Sequence, residues 1–137
     1  MDSLLDTNVI SQRIKETPHD GAVRWLSRTQ ASELYLSVIS LAEIRFGIEE
    51  MDAGRKRRNL EHWLEQDVRR GFAGRILSVD DRIAEEAGRM TSMAKKDGTK
   101  PGLADMMIAA TARVHGLRVV TLNRKHFEGL GVELVEF

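Results

Sequence analysis

The sequence predicts an α/β fold, a central parallel sheet of about five strands with helices on both faces. Two observations lead to this class. Short runs rich in Leu, Val and Ile alternate with longer stretches of helical periodicity. No internal repeat, low-complexity tract or linker interrupts the chain. We therefore expect residues 1–137 to form one domain, a length that suits a single hydrophobic core.

The individual elements follow from those runs. Five short segments rich in Leu, Val or Ile are predicted strands: Ser3–Leu5, Leu34–Val38, Arg75–Val79, Arg118–Leu122 and Val132–Val135. Six segments with helical periodicity are predicted helices: Val9–Ile14, Gly21–Gln30, Ser40–Met51, Arg55–Arg70, Asp80–Lys96 and Leu103–His115. Open parallel sheets bind ligands at the carboxyl ends of their strands. Asp6, directly after the first strand, is therefore expected at the functional edge.

Composition excludes several classes of protein. Hydrophobic residues make up 42% of the chain and charged residues 31%, which is typical of a folded, soluble protein. No apolar stretch reaches the roughly 18 residues of a membrane span and no signal sequence opens the chain, so we expect a cytoplasmic protein without a membrane partner. Without cysteine, any metal must be held by oxygen or imidazole. Because 21 basic residues balance 21 acidic ones, any nucleic-acid surface must be local.

Three carboxylates stand out, and each also has a purely structural interpretation. Asp6 can cap the helix that follows it. Glu43 lies three residues after Ser40, the spacing of a capping box at a helix start. Asp105 follows "KPG" in the first turn of a helix, where it complements the helix dipole. That last helix is apolar almost all round, so a carboxylate buried there needs a partner.

Taken together, the three carboxylates predict a metal site. All are expected at helix starts, and parallel topology directs those starts to one edge of the sheet. Converging carboxylates repel one another unless a cation lies among them. A small set of oxygen ligands selects Mg²⁺ or Mn²⁺, and either ion supports hydrolysis of a phosphodiester.

Five stretches carry a resemblance to a known family: "LLDTNVIS", "SVISLAEIRFGI", "FAGRILSVD", "LADMMIAATARVHGLRVVTLN" and the closing "HF". In this order and spacing they resemble the PIN-domain ribonucleases, specifically VapC-type toxins of the FitB-like branch. The resemblance implies a PIN-like domain with an acidic Mg²⁺ or Mn²⁺ site that cleaves RNA. It also implies a homodimer, inhibition by a cognate VapB/FitA-type antitoxin, and contact with DNA only through that antitoxin.

The resemblance also implies roles for individual residues. The acidic metal ligands of the family map onto Asp6, Glu43 and Asp105, and Asn123 stands where many relatives carry Asp. An Asn there can offer a carbonyl oxygen or position a water, but it adds no charge to attract a second ion. Supporting hydroxyl and amide contacts fall to three further residues: Thr7, Asn8 and Ser40. His126 replaces another acidic position and is interpreted as a surface histidine.

RNA binding needs positive charge near the acidic centre. The predicted contacts are Lys95, Lys96, Lys100 and Arg45, with "KKDGTKPG" best placed because it precedes the Asp105 helix. Trp25 and Leu26 are candidate contacts for the antitoxin.

The sequence thus favours a metal-dependent endoribonuclease that is the toxin of a type II toxin–antitoxin pair. One alternative is a catalytically silent PIN module that binds RNA or protein, favoured by the missing fourth carboxylate. Another is an aspartyl-phosphate phosphatase with Asp6 as nucleophile. It is disfavoured because Asn8 stands where such enzymes usually carry a second Asp.

Overall fold

The computed structural model describes all residues 1–137 and contains a four-stranded parallel sheet. The strands are β1 (Ser3–Leu5), β2 (Leu34–Ser37), β3 (Ile76–Leu77) and β4 (Arg118–Val120), in the order β3-β2-β1-β4. The parallel sheet is as predicted, but it has four strands rather than about five. Only Val119 exchanges backbone hydrogen bonds with the segment expected at Val132–Val135, which leaves a single bridge between Val119 and Leu134.

The helices occupy the predicted regions with altered boundaries. They are α1 (Thr7–Ile10), α2 (Asp20–Arg28), α3 (Val38–Glu49), α4 (Arg55–Trp63), α5 (Asp81–Lys96), α6 (Leu103–His115) and α7 (Arg124–Phe127). Short 3₁₀ helices follow α1 at Ser11–Ile14 and precede β2 at Ala31–Glu33, and α4 continues into a π-helix at Leu64–Arg70. The helix at Leu103–His115 matches the prediction, whereas α7 was not predicted.

Alternating strand residues supply two cores, one on each face of the sheet. Leu4 and Val119 belong to a core formed with α5, α6 and α7, while their neighbours Leu5 and Val120 point into the core formed with α1 to α4 and the π-helix that continues α4. All four side chains are buried. This two-sided burial explains why β1 and β4 read as continuous apolar runs rather than alternating ones.

The same pairing fixes one edge of the sheet. β1 pairs with β4 through Leu5 and Val120, so both strands end at one level. Helix α3 contacts both α1 and α6 there. The segments that follow β1 and β4, together with α3 and α6, therefore surround a common edge. None of the helices combines the length and the hydrophobicity that a membrane-spanning segment requires.

Candidate active site

Asp6 is fixed between the ends of β1 and β4. It is 5% exposed, and its backbone N–H donates to the carbonyl of Val120 at 2.9 Å. Its Oδ1 accepts a hydrogen bond from the Thr7 backbone N–H at 2.8 Å, as the cap of α1. Its Oδ2 accepts one from the Thr121 hydroxyl at 2.7 Å. The capping interpretation is therefore correct. The hydrogen bond from Thr121 also joins the carboxylate to the segment that follows β4.

The surroundings of Asp6 disfavour its ionised form. Burial raises the pKa of Asp6 above its ordinary value, and the hydrogen bonds from Thr121 and Thr7 only partly oppose this. The negative charges of Asp105 and Glu43 raise the pKa further. The three carboxylates are thus near enough to interact electrostatically, as converging carboxylates without a cation must.

Glu43 reaches this edge from α3, but not from a helix start. The cap of α3 is Ser37, whose hydroxyl accepts from the Ile39 N–H at 3.0 Å, so the capping box expected at Ser40 and Glu43 is wrong. Ser40 is instead buried inside the helix. Thr7 Oγ1 lies 2.6 Å from Glu43 Oε1 and 2.8 Å from Ser40 Oγ. Since a carboxylate only accepts, the single Thr7 proton goes to Glu43.

Asp105 lies in the first turn of α6, as predicted, and has an unforeseen neighbour. Nδ1 of His126 is 2.9 Å from Asp105 Oδ2. His126 is exposed on α7, as a surface histidine would be, but it touches one of the three carboxylates. The sequence carried one signal for this contact, the position of His126 in the "HF" that closes the family pattern.

Three residues organise the segment after β4. Asn8 Oδ1 accepts a hydrogen bond from the Leu122 N–H at 3.1 Å, which links α1 to this segment. The Thr121 hydroxyl, besides donating to Asp6, accepts from the Asn123 N–H at 3.0 Å. Sequence reasoning missed Thr121, although a hydroxyl directly after β4 at the sheet edge was visible. Asn123 precedes α7, and its exposed side chain makes no hydrogen bond.

The predicted RNA contacts occupy different surroundings. Arg45 is paired with Glu49 at 3.7 Å and Glu61 at 4.0 Å. Lys95 and Lys96 are exposed in the last turn of α5. Lys100, by contrast, lines a cleft that also contains Asp105. The structure thus brings one of the four basic side chains beside the carboxylates.

The donor set suits a hard divalent ion. No three His, Asp or Glu side chains are close enough in this conformation to hold an ion jointly. However, the available ligands are carboxylate oxygens, and cysteine is absent. Glu43 Oε2 and Asp105 Oδ1 accept no hydrogen bond from the protein. A cation at this edge would also offset the repulsion that raises the pKa of Asp6.

This fold and site define a PIN domain. The family model for the PIN domain matches residues 3–131, so the chain belongs to that family.

Two named relatives resemble the chain over most of its length. It is 38% identical over 132 residues to the VapC ribonuclease Y4jK of Sinorhizobium fredii, covering 96% of this chain and 94% of that protein. It is 40% identical over 124 residues to toxin FitB of Neisseria gonorrhoeae, covering 90% and 89%. A solved structure of FitAB bound to a DNA fragment superposes with a TM-score of 0.91 at 37% identity, covering 96% of this chain and 92% of that one.

Proposed function

We propose that this chain is a Mg²⁺- or Mn²⁺-dependent endoribonuclease that hydrolyses RNA phosphodiester bonds, and that it is the toxin of a type II toxin–antitoxin pair. One observation carries the proposal. Asp6 is buried at the edge where ligands bind in parallel sheets, and Thr7 beside it donates to Glu43 at 2.6 Å, which brings the α3 carboxylate to the same edge. The likeness to a VapC ribonuclease and to toxin FitB supports the same activity.

The position of each residue in the site indicates its proposed role. Asp6, Glu43 and Asp105 would hold the ion, and the amide oxygen of Asn123 would complete the set. When bound, such an ion lowers the pKa of water and offsets the charge that develops on the phosphate. Thr7 orients Glu43, and Thr121 orients Asp6. No side chain need act as a nucleophile.

An antitoxin is the proposed partner, and DNA would be contacted only through it. The likeness to the FitB chain of a FitAB–DNA structure supports this assembly. An antitoxin arginine paired with the carboxylates would inhibit by replacing the ion. Of the two apolar contacts predicted from the sequence, Trp25 is half-buried and available, whereas Leu26 lies in the core and is not.

A second copy of the chain is proposed to cover an apolar groove between α3 and α6. The groove, about 550 Å³, is lined by seven hydrophobic residues and Glu43. Phe46 and Leu103 project from it, 67% and 75% exposed. Large apolar side chains left in water on one contiguous surface are typical of interfaces. The homodimer expected from the sequence therefore has a suitable surface beside the site.

The deciding experiment is RNA cleavage by the purified protein with Mg²⁺ or Mn²⁺ and with EDTA. We expect metal-dependent cleavage that Asp105→Asn abolishes while the circular dichroism spectrum is retained. Asp20→Asn is the matched control, because Asp20 is also a first-turn carboxylate, on α2, and lies exposed away from the site. Equal cleavage by wild type and Asp105→Asn, or cleavage that persists in EDTA, would refute the proposal.

The same assay separates the alternatives. A folded wild-type protein that binds RNA without cleaving it would favour the silent PIN module. The phosphatase alternative stays disfavoured, because Asn8 stands where such enzymes carry a second Asp, and its Oδ1 accepts a hydrogen bond from the Leu122 N–H. A trapped phospho-aspartate would revive it.

A further inference from the structure

A polar cleft opens beside Asp105 that the metal site does not use. The loop before α6 and helix α7 form its walls, and only one of its nine lining residues is hydrophobic. Its volume is about 390 Å³, within the range of roughly 300–1,000 Å³ typical of ligand sites. Asp105 belongs to this lining, so the cleft is continuous with the carboxylate cluster.

Two lysines face the cleft without internal partners. Lys100 comes from the loop and Lys125 from α7, and no carboxylate oxygen lies within 4.0 Å of either ammonium group. The neighbouring Arg124 is already engaged, by the Val135 carbonyl at 2.9 Å and by Glu136 at 3.2 Å. Among the basic groups of the α7 start, Lys125 is therefore the one left for a ligand.

The other charges of the cleft do not cancel these lysines once the site is loaded. Asp105 contacts His126 and would share its charge with the ion. Glu128 is the remaining lining carboxylate. Gly102, which precedes α6, offers no side chain to cap the first turn. Backbone N–H groups at a helix start favour an anion, which adds to the effect of the two lysines.

The depression on the other side of the cluster has the opposite character. The groove that shares Glu43 is apolar, with seven hydrophobic residues among its eight. A phosphate backbone cannot be desolvated against such a surface without a large cost. The carboxylate cluster therefore lies between two unlike depressions, a charged cleft beside Asp105 and an apolar groove beside Glu43.

Resting on the proposed function, we infer that the RNA strand leaves the metal site through the polar cleft, and that Lys100 and Lys125 together bind one backbone phosphate adjacent to the scissile one. Contacts to phosphate position a nucleic acid without reading its sequence. The two lysines therefore determine on which side of the scissile phosphate the strand is held, independently of its base sequence.

The test couples the lysines to a single phosphate. RNA of a sequence that the wild-type protein cleaves is prepared as a set of strands, each with one neutral methylphosphonate linkage. Binding is measured by fluorescence anisotropy in Ca²⁺, an oxygen-preferring divalent ion that loads the carboxylates, over times for which a denaturing gel shows the strand to be intact. The proteins are wild type, the double variant Lys100→Ala/Lys125→Ala, and the control Lys15→Ala/Lys56→Ala, which removes equal charge from exposed lysines outside the cleft.

We expect a methylphosphonate at one linkage next to the scissile phosphate to weaken RNA binding by wild type about fivefold or more. The same methylphosphonate should leave RNA binding by the cleft variant unchanged. Because the two lysines neutralise one phosphate, the cleft variant should also lose about 0.7 in total from the slope of log K against log salt. The control pair should keep the wild-type sensitivity to that linkage. If both variants respond to every linkage as wild type does, the inference is overturned.

Two further outcomes would also count against it. Unchanged RNA binding by the cleft variant, with loss of the co-expressed antitoxin, would assign the lysines to the protein partner. Weakening that is equal at all linkages would reduce them to general charge. Failure of the proposed function is recognised separately, because a wild-type protein that cleaves no RNA can still be titrated with an oligouridine strand.

Discussion

Replacement of Thr121 by valine tests how Asp6 is held in place. Thr121 is 2% exposed, and its hydroxyl donates to Asp6 Oδ2 at 2.7 Å and accepts from the Asn123 N–H at 3.0 Å. Valine has nearly the same shape, so packing is kept while both hydrogen bonds are lost. The Asp6 oxygen and the Asn123 N–H are then left without this partner in a buried position.

The expected cost is set by those two bonds. Loss of a hydrogen bond to a charged group costs about 1.5–3 kcal/mol, so we expect a loss of about 2 kcal/mol in the free energy of unfolding near neutral pH. For 137 residues the entropy of unfolding is about 0.3 kcal/mol per kelvin. The melting temperature should therefore fall by about 7 °C.

The cost should depend on pH. Burial holds the folded pKa of Asp6 above its ordinary value of 3.8. Asp6 thus supports the fold most when it is protonated, below 3.8, and this contribution is lost as the pH rises through the folded pKa. Loss of the Thr121 bond raises the folded pKa further. The difference between wild type and Thr121→Val should therefore be small in acid and full at neutral pH.

Urea unfolding at about pH 3 and about pH 8 measures this difference. Thr121→Ser is the matched control, since it keeps the hydroxyl and loses only a methyl group, worth about 1 kcal/mol at either pH. A valine variant with the same loss of stability at both pH values would refute the link to the Asp6 charge. So would a serine variant as unstable as the valine variant at neutral pH.

Three other substitutions probe the site and its surface. Asp6→Asn removes a buried charge that two carboxylates oppose, so the metal-free protein should melt at a higher temperature while RNA cleavage is lost; a lower melting temperature would contradict this. Asn123→Asp adds a negative charge, so maximal cleavage should need less Mn²⁺, and an unchanged metal dependence would show that Asn123 lies outside the site. Phe46→Glu places a charge on the apolar groove and should yield monomers by light scattering, whereas an intact dimer would place the interface elsewhere.

The elements that the sequence predicted well are those whose signal is local. Helix Leu103–His115 begins after "KPG" and ends at Gly116, whose φ of +67° gives the left-handed cap that glycine favours. The strand expected at Val132–Val135 failed because pairing is decided by a partner, and only Val119 pairs with it. An apolar run alone does not show how many of its residues pair.

The site likewise contains features that the sequence predicts and contacts that it does not. Three carboxylates near one sheet edge follow from strand order and topology, and the mutual effect on the Asp6 pKa agrees with that arrangement. Helix starts were less reliable, because "SVIS" contains two serines and the first, Ser37, is the cap. The contacts of Thr121 with Asp6 and of His126 with Asp105 join residues 115 and 21 positions apart. No local pattern encodes such pairs.

Direct binding of Mn²⁺ to the purified protein tests the central claim most closely, because it does not depend on a contaminating nuclease. Calorimetric titration of wild type, Asp105→Asn and Asp20→Asn gives the affinity of each. We expect wild type and Asp20→Asn to bind Mn²⁺ equally, and Asp105→Asn to bind at least about tenfold more weakly, since a carboxylate ligand is lost. Equal affinity in all three proteins would contradict a metal site built from Asp6, Glu43 and Asp105.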